Sequence, residues 1–269
     1  MKLLHGDCIE EMAKMDAGSV DLTVTSPPYD NLRTYGGSLQ WNEDIWKQVL
    51  EGLYRVTKDG GVLVWVVGDA TIKGSETGTS FKQALYAVEC GFNLHDTMIW
   101  HKVAKFPHHE NSKRYKPQFE YMFILSKGLV NRYNPIYDIP NISAGKEFTV
   151  KCKKKSDDNS VENGRTKHLK IASHRMRDNV WSIAQSGSKD HPAPFPEQLA
   201  RDHITSWSNE GDTIFDPFMG SGTTGKMATE LGRRFIGVEK VEKYHAIATA
   251  RIEAEQNREP EEPDQKELF

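Results

Sequence analysis

Cysteine is nearly absent from this 269-residue chain, which has only Cys8, Cys90 and Cys152. None forms a CxxC pair or stands at metal-ligand spacing. A disulfide scaffold and a zinc module are therefore excluded, and a reduced, intracellular setting fits. Long hydrophobic runs are missing too: nothing approaches the roughly 18 apolar residues of a membrane span, and the N-terminus lacks a signal-peptide apolar region. The expectation is a soluble, cytoplasmic protein with no membrane partner. A strong net charge is also lacking, at -3 with a pI near 6.4. Composition alone does not announce a nucleic-acid binder, so any such contact must rest on local charge asymmetry. What is present, 37% hydrophobic and 10% aromatic residues, suffices for one sizeable α/β domain with an inserted subdomain.

The first informative stretch is Thr25-Ser26-Pro27-Pro28-Tyr29-Asp30. The run before it, Val20 to Thr25, is rich in β-branched residues and reads as a buried strand. Two prolines then end the ladder, because neither can donate a backbone N–H. A rigid set of acceptors remains at the strand end, the Ser26 hydroxyl and the carbonyls around Pro27 and Pro28, beside the ring of Tyr29. Such a set suits a planar substrate that presents an NH2 group. Taken alone, the same residues are equally consistent with a plain turn.

A second stretch, Asp216-Pro217-Phe218-Met219-Gly220-Ser221-Gly222-Thr223-Thr224-Gly225, follows the short apolar strand Thr213-Ile214-Phe215 and precedes a helical run from Lys226 to Leu231. Glycines at such a turn allow close backbone approach, and the helix start offers free N–H groups to an anion. A further strand, Arg234 to Val238, delivers Glu239, an acid at about the distance (roughly 20 residues) that serves a ribose diol in nucleoside-cofactor sites. The spacing Gly220 to Lys226 also matches a phosphate-binding loop, but that motif needs a hydroxyl after the lysine to hold magnesium. Met227 stands there instead, so the nucleotide-hydrolase reading fails.

Around these stretches strands and helices alternate. Met1 to His5 forms a short strand delivering Gly6-Asp7-Cys8, with Asp7 also suited to cap a helix from Ile9 to Met15. Trp41 to Val56 and Phe81 to Cys90 read as amphipathic helices, and Val62 to Val67, Met98 to Trp100 and Tyr121 to Leu125 as strands. The pattern specifies a Rossmann-like, doubly wound α/β sheet, mostly parallel and seven-stranded, with ligands at the strand ends. Pro196 suits the first turn of a helix running to about Ser208, and a last helix spans Lys243 to about Gln256. The loop His101 to Phe119 carries Lys105, Lys113 and Arg114. Its His108-His109 pair lacks a third ligand, so no metal site is expected. Residues 146–177 hold ten basic and four acidic side chains, a local excess of +6. Lys153, Lys154, Lys155, Arg165, Lys167 and Arg175 are among them.

The combined motifs resemble the S-adenosylmethionine-dependent DNA amino-methyltransferases of the N4-cytosine/N6-adenine type. Their catalytic (Asp/Asn/Ser)-Pro-Pro-(Tyr/Phe) is matched by Ser26, Pro27, Pro28 and Tyr29, and their cofactor motif by Asp216 to Thr224. The catalytic motif comes first, the permuted β-type order. The resemblance implies that Asp7, Cys8, His191, Pro196, Asp216, Pro217, Phe218, Gly220, Ser221, Gly222, Thr223 and Glu239 hold S-adenosylmethionine. It further implies that Lys105, Lys113, Arg114 and the basic residues of 146–177 contact double-stranded DNA. Residues 1–127 and 179–256 become the catalytic and cofactor halves of one domain, 128–178 the target-recognition region, and 257–269 an acidic flexible tail. The implied reaction is direct transfer of the methyl group to the exocyclic amine of a flipped base. Ser26 leans toward cytosine N4, with adenine N6 as the alternative and a catalytically silent DNA-binding subunit as the remote one. A homodimer and a cognate restriction endonuclease are compatible partners.

Overall fold

The computed structural model describes residues 1–28, 41–103, 113–155, 161–185 and 196–258, and of residues 151–155 and 161–165 the backbone alone. Two units are distinct: residues 1–134 with 179–269, and residues 135–178.

The first unit begins with β1 (Lys2–His5), α1 (Cys8–Ala13), β2 (Val20–Thr25), α2 (Glu43–Val56) and β3 (Thr57–Val67). A two-strand hairpin, β4 (Thr71–Ile72) and β5 (Ser75–Glu76), leads to α3 (Thr79–Glu89), β6 (Asn93–Lys102) and β7 (Phe119–Ser126). The second unit contributes β8 (Tyr137–Pro140), β9 (Glu147–Lys155), β10 (Val161–Lys170) and β11 (His174–Met176). The chain then returns to the first unit with β12 (Val180–Ile183), α4 (Glu197–Trp207), β13 (Thr213–Asp216), α5 (Thr223–Glu230), β14 (Arg234–Glu239) and α6 (Glu242–Gln256).

The sheet order is β1-β14-β13-β2-β3-β7-β6-β12. Strand β7 runs antiparallel to both neighbours, and every other strand shares one direction. This corrects the expected count: eight strands, not seven, form the sheet among the described residues. The extra one is β12, in which only Trp181 is buried, so its four residues show no period to recognise.

Strand β3 shows why the sheet has two cores. Val62, Val64 and Val66 join Leu199 and Ile204 of α4, Met227 of α5 and Ile252 of α6 on one face. Leu63, Trp65 and Val67 join Met12 of α1, Val49 and Leu53 of α2 and Ala87 of α3 on the other. Alternate side chains of a strand point to opposite faces, and helices on both sides bury both. The helix starts are chemically explicit in α1 and α2, where Asp7 accepts from Ile9 N at 2.9 Å and Asn42 from Ile45 N at 3.1 Å.

In the second unit β9 pairs with β10 and β8 with β11, each antiparallel. The sequence showed no strand pattern there. None of its described side chains is buried, so these hairpins carry no hydrophobic alternation to read.

Candidate active site

Sheet order brings the two motifs together. Strands β1, β14, β13 and β2 are neighbours and parallel, so His5, Glu239, Asp216 and Thr25 end on one edge of the sheet. Ser26, Pro27 and Pro28 follow Thr25 directly, with Pro27 buried and Ser26 and Pro28 half-buried. Between β13 and β2 the connections diverge, one set leading outward to β14 and the other to β3. Ligands of doubly wound sheets bind in the crevice at such a switch point.

The turn after β13 is shaped by glycine. Gly220 and Gly222 have φ of +53° and +83°, values that L side chains rarely adopt. A Cβ on Gly222 would also lie 2.9 Å from the Ala248 Cβ of α6. Gly222 caps α5, whose first residue is Thr223, so the helix presents its unpaired N–H groups at the turn. Glu239 fixes the loop, accepting from Gly220 N and Val241 N at 2.8 Å each. Burial raises its carboxyl above the usual range, against those N–H donors. A carboxylate has about four lone-pair sites and the backbone N–H groups of Val241, Gly220 and Lys240 act on this one, so about one site stays available to a diol.

Asp216 is fully enclosed. Burial pushes its carboxyl up to about 6, opposed by hydrogen bonds from Thr25, Thr224 and Phe218 N and reinforced by the charge of Glu239. Phe218 meets the rings of Trp41 and Trp65 edge-on, at 5.4 and 6.5 Å between centroids. Pro217 directly precedes it and has no N–H to extend the ladder.

Asp7 is bound twice, by Ile9 N as the helix cap and by Lys240 Nζ at 3.1 Å. Burial works against its charge, and Lys240 holds it below the ordinary carboxylate range nonetheless. Cys8 opens α1, and burial followed by the Asp7 charge lifts its thiol to about 12. A thiol raised in this way is poorly suited to act as a nucleophile. Pro196 sits one position earlier than expected, at the cap of α4 rather than in its first turn. Tyr29, Lys105, His108, His109 and His191 lie outside the described residues.

A network that sequence reasoning missed braces the glycine turn. Arg251 of α6 donates to the Ser221 carbonyl at 2.7 Å and to its hydroxyl at 3.1 Å, and it also reaches Glu197 at 2.9 Å. Lys226 meets both Glu197 oxygens at 2.9 Å. Burial opposes the Glu197 charge, but Lys226 and Arg251 hold its carboxyl below its ordinary range. These partners are at least 29 residues apart in sequence, so no local pattern could have paired them.

Of the basic candidates, Arg114 pairs with Glu76 at 3.3 Å and with the Gly74 carbonyl. Arg175 grips Asp178 through two bonds of 2.7 and 3.0 Å. Lys113 and Lys167 are exposed. Lys153, Lys154 and Lys155 belong to β9 and Arg165 to β10, their side chains lying outside the described set.

A family model described as DNA methylase, of the N6/N4 type, matches residues 20–250. The chain belongs to this family of S-adenosylmethionine-dependent DNA amino-methyltransferases. Orphan methyltransferase M.BamHII of Bacillus amyloliquefaciens is 48% identical over 262 residues, covering 94% of this chain and 92% of its own. Type II methyltransferase M.SmaI of Serratia marcescens is 29% identical over 93% of this chain and 90% of its own. Among solved structures, TTHA0409 of Thermus thermophilus complexed with S-adenosyl-L-methionine is similar at TM-score 0.63 and 27% identity, covering 95% and 96% of the two chains. PvuII DNA methyltransferase, a cytosine-N4-specific enzyme, reaches TM-score 0.68 over 97% of this chain and 88% of its own. At 21% identity that likeness is one of fold.

The residues present fit the cofactor of this family. Gly220 and Gly222 give the turn its left-handed backbone, the start of α5 offers N–H groups there, Glu239 keeps acceptor capacity for a diol, and Phe218 offers an apolar wall. The enzyme is a DNA methyltransferase that uses S-adenosylmethionine.

Proposed function

We propose that this methyltransferase modifies the exocyclic N4 of a cytosine flipped out of double-stranded DNA at a specific site. The observation that carries the proposal is the position of Ser26. It heads the Ser-Pro-Pro motif at the end of β2, beside the strand that delivers the cofactor turn.

The exocyclic amine is a poor nucleophile because its lone pair is delocalised into the ring. The Ser26 hydroxyl and the Pro27 carbonyl accept its two hydrogens, which draws the nitrogen toward tetrahedral geometry and frees the lone pair. As the nitrogen gains positive charge, both acceptors stabilise it more than they did in the ground state, and one of its two hydrogens then leaves as a proton along one of those bonds to solvent. Bound S-adenosylmethionine supplies the methyl group. Glu239 and the Gly220–Thr223 turn would hold it, and the buried Asp216, with Arg251 and Glu197, keeps that turn in place. Burial raises the Cys8 thiol and suits it poorly to act as a nucleophile, in keeping with a direct transfer. Tyr29 follows the two prolines and stacks on the flipped base, an interaction worth on the order of 1–3 kcal/mol.

The same reading assigns the basic region 128–178 to target recognition and places the enzyme in the cytoplasm of a prokaryotic cell or phage-infected host. A homodimer and a cognate restriction endonuclease are partners compatible with it. The test is to incubate unmethylated duplex with labelled cofactor and digest it to nucleosides. N4-methylcytosine is the expected product. N6-methyladenine would overturn the base assignment and keep the mechanism, whereas label on carbon 5, or on no DNA tested, would overturn the mechanism.

A further inference from the structure

The two strands that carry the motifs are joined by very little backbone. Strand β13 pairs with β2 at Ile214↔Leu22 and Phe215↔Thr23. Continued by two residues, that register would set Pro217 opposite Thr25, and proline has no N–H to donate. The ladder therefore stops just below the crevice. Beyond it the strand ends are tied by side chains. The Thr25 hydroxyl donates to Asp216 Oδ1 at 2.7 Å, and the same oxygen accepts from Phe218 N at 3.0 Å. From α5, the Thr224 hydroxyl reaches back to the Val24 carbonyl at 3.2 Å. Thr25, Thr224 and Asp216 are all buried, so no water competes for these bonds.

Thr25 is the last residue before Ser26, and Asp216 is the last before the cofactor turn. Each end is firmly held on its own side. Thr25 lies opposite Trp65 in β3, and the Asp216 turn is held by Glu239 through Gly220. These side-chain bonds tie the two strand ends together directly at the crevice. We propose that Thr25 is a positioning residue for methyl transfer: through its hydrogen bond to Asp216 it sets the distance and angle between the acceptor motif at Ser26 and the cofactor turn.

Its role differs from that of a residue that binds cofactor or base. Removal of the bond leaves the cofactor cradle intact on its side and the DNA-facing surface unchanged, but loosens the strand end that carries Ser26 against the cofactor turn, with the Thr224 bond to Val24 and the two ladder pairs still in place. Effective catalysis depends on reacting atoms held to within a fraction of an ångström, and misplacement by about 1 Å can cost on the order of a hundredfold in rate. The expected signature is a loss in the transfer step without a matching loss in affinity. The proposal rests on Ser26 being the acceptor. That premise has its own test, since a fully active Ser26→Ala enzyme would remove it whatever Thr25 does.

The experiment is a graded series at one position, Thr25→Ser, Thr25→Cys and Thr25→Val, on the full-length enzyme. Single-turnover methylation is measured with saturating cofactor and DNA, and cofactor affinity by calorimetry. Valine keeps the shape and removes the donor. Its transfer rate should fall ten- to a hundredfold, with cofactor affinity changed less than threefold. Serine restores the donor and should recover the rate to within about threefold, with cysteine, a weaker donor, in between. Should Thr25→Val fail to fold, the ordering of serine above cysteine carries the test. Valine as fast as wild type, serine as slow as valine, or a fall in rate matched by an equal fall in cofactor affinity would each overturn the proposal.

Discussion

The two units of this chain differ in charge and in burial. Residues 135–178 hold ten basic and six acidic side chains, a net +4 in 44 residues. The remaining 225 residues hold 25 basic and 32 acidic side chains, a net of -7. Burial divides the same way. The larger unit packs two apolar layers around an eight-stranded sheet, whereas no described side chain of the smaller one is buried. Chemistry at a reacting nitrogen needs fixed distances, and a close-packed core provides them. Contact with a polyanion needs positive charge at the surface, and packing does not supply that.

The sharpest way to break this division is at Ser26. Ser26→Ala removes one acceptor and leaves the Pro27 carbonyl and the fold. Turnover should drop roughly a hundredfold, because the missing hydrogen bond matters most as the amine becomes positive. Cofactor and DNA affinities should persist, measured by calorimetry and by filter binding. An active Ser26→Ala enzyme would make the motif a structural turn.

Legibility followed the same line. The Ser26–Tyr29 motif could be read because prolines at a strand end have few other uses, and the cofactor turn because glycines, strand and acid come in sequence. Strands of the larger unit showed as apolar runs because a parallel sheet buries both faces, as at Val62 to Val67. The bond from Thr25 to Asp216 spans 191 positions, and no periodicity reports a partner so distant. Strand β12 was invisible with one buried residue in four. The hairpins of residues 135–178 were invisible because Phe148 and Leu169, which face each other across β9 and β10, are both about half exposed. Hydrophobic pattern records burial, so an element that buries nothing leaves no trace in it.

Stability sharpens the comparison further. Leu22 of β2 is fully buried between layers, and Leu22→Ala should cost about 3 kcal/mol through reduced transfer energy and an unfilled cavity. Leu169 is 43% exposed on β10, and Leu169→Ala should cost less than about 1 kcal/mol. Urea melts of the two variants against wild type measure both. Equal losses would mean that the smaller unit has a core of its own.

The smallest expected effect separates the units by charge. Reversing Lys153, Lys154 and Lys155 to glutamate should weaken DNA binding and flatten its salt dependence. Binding to duplex releases condensed counterions, so each phosphate that a lysine no longer neutralises should lower the log–log slope by roughly 0.9. The same triple variant should bind S-adenosylmethionine as wild type does, since the glycine turn and Glu239 belong to the other unit. Glu239→Ala provides the converse. It should weaken the cofactor, through the missing diol acceptor and the loosened Gly220 and Val241 N–H groups, and leave the salt slope alone. Calorimetry with cofactor and a salt titration with duplex, run on both variants, separate the two roles. An unaltered slope in the lysine variant would show that those charges are merely solvated, because a lysine that never meets a phosphate releases no counterion when DNA binds.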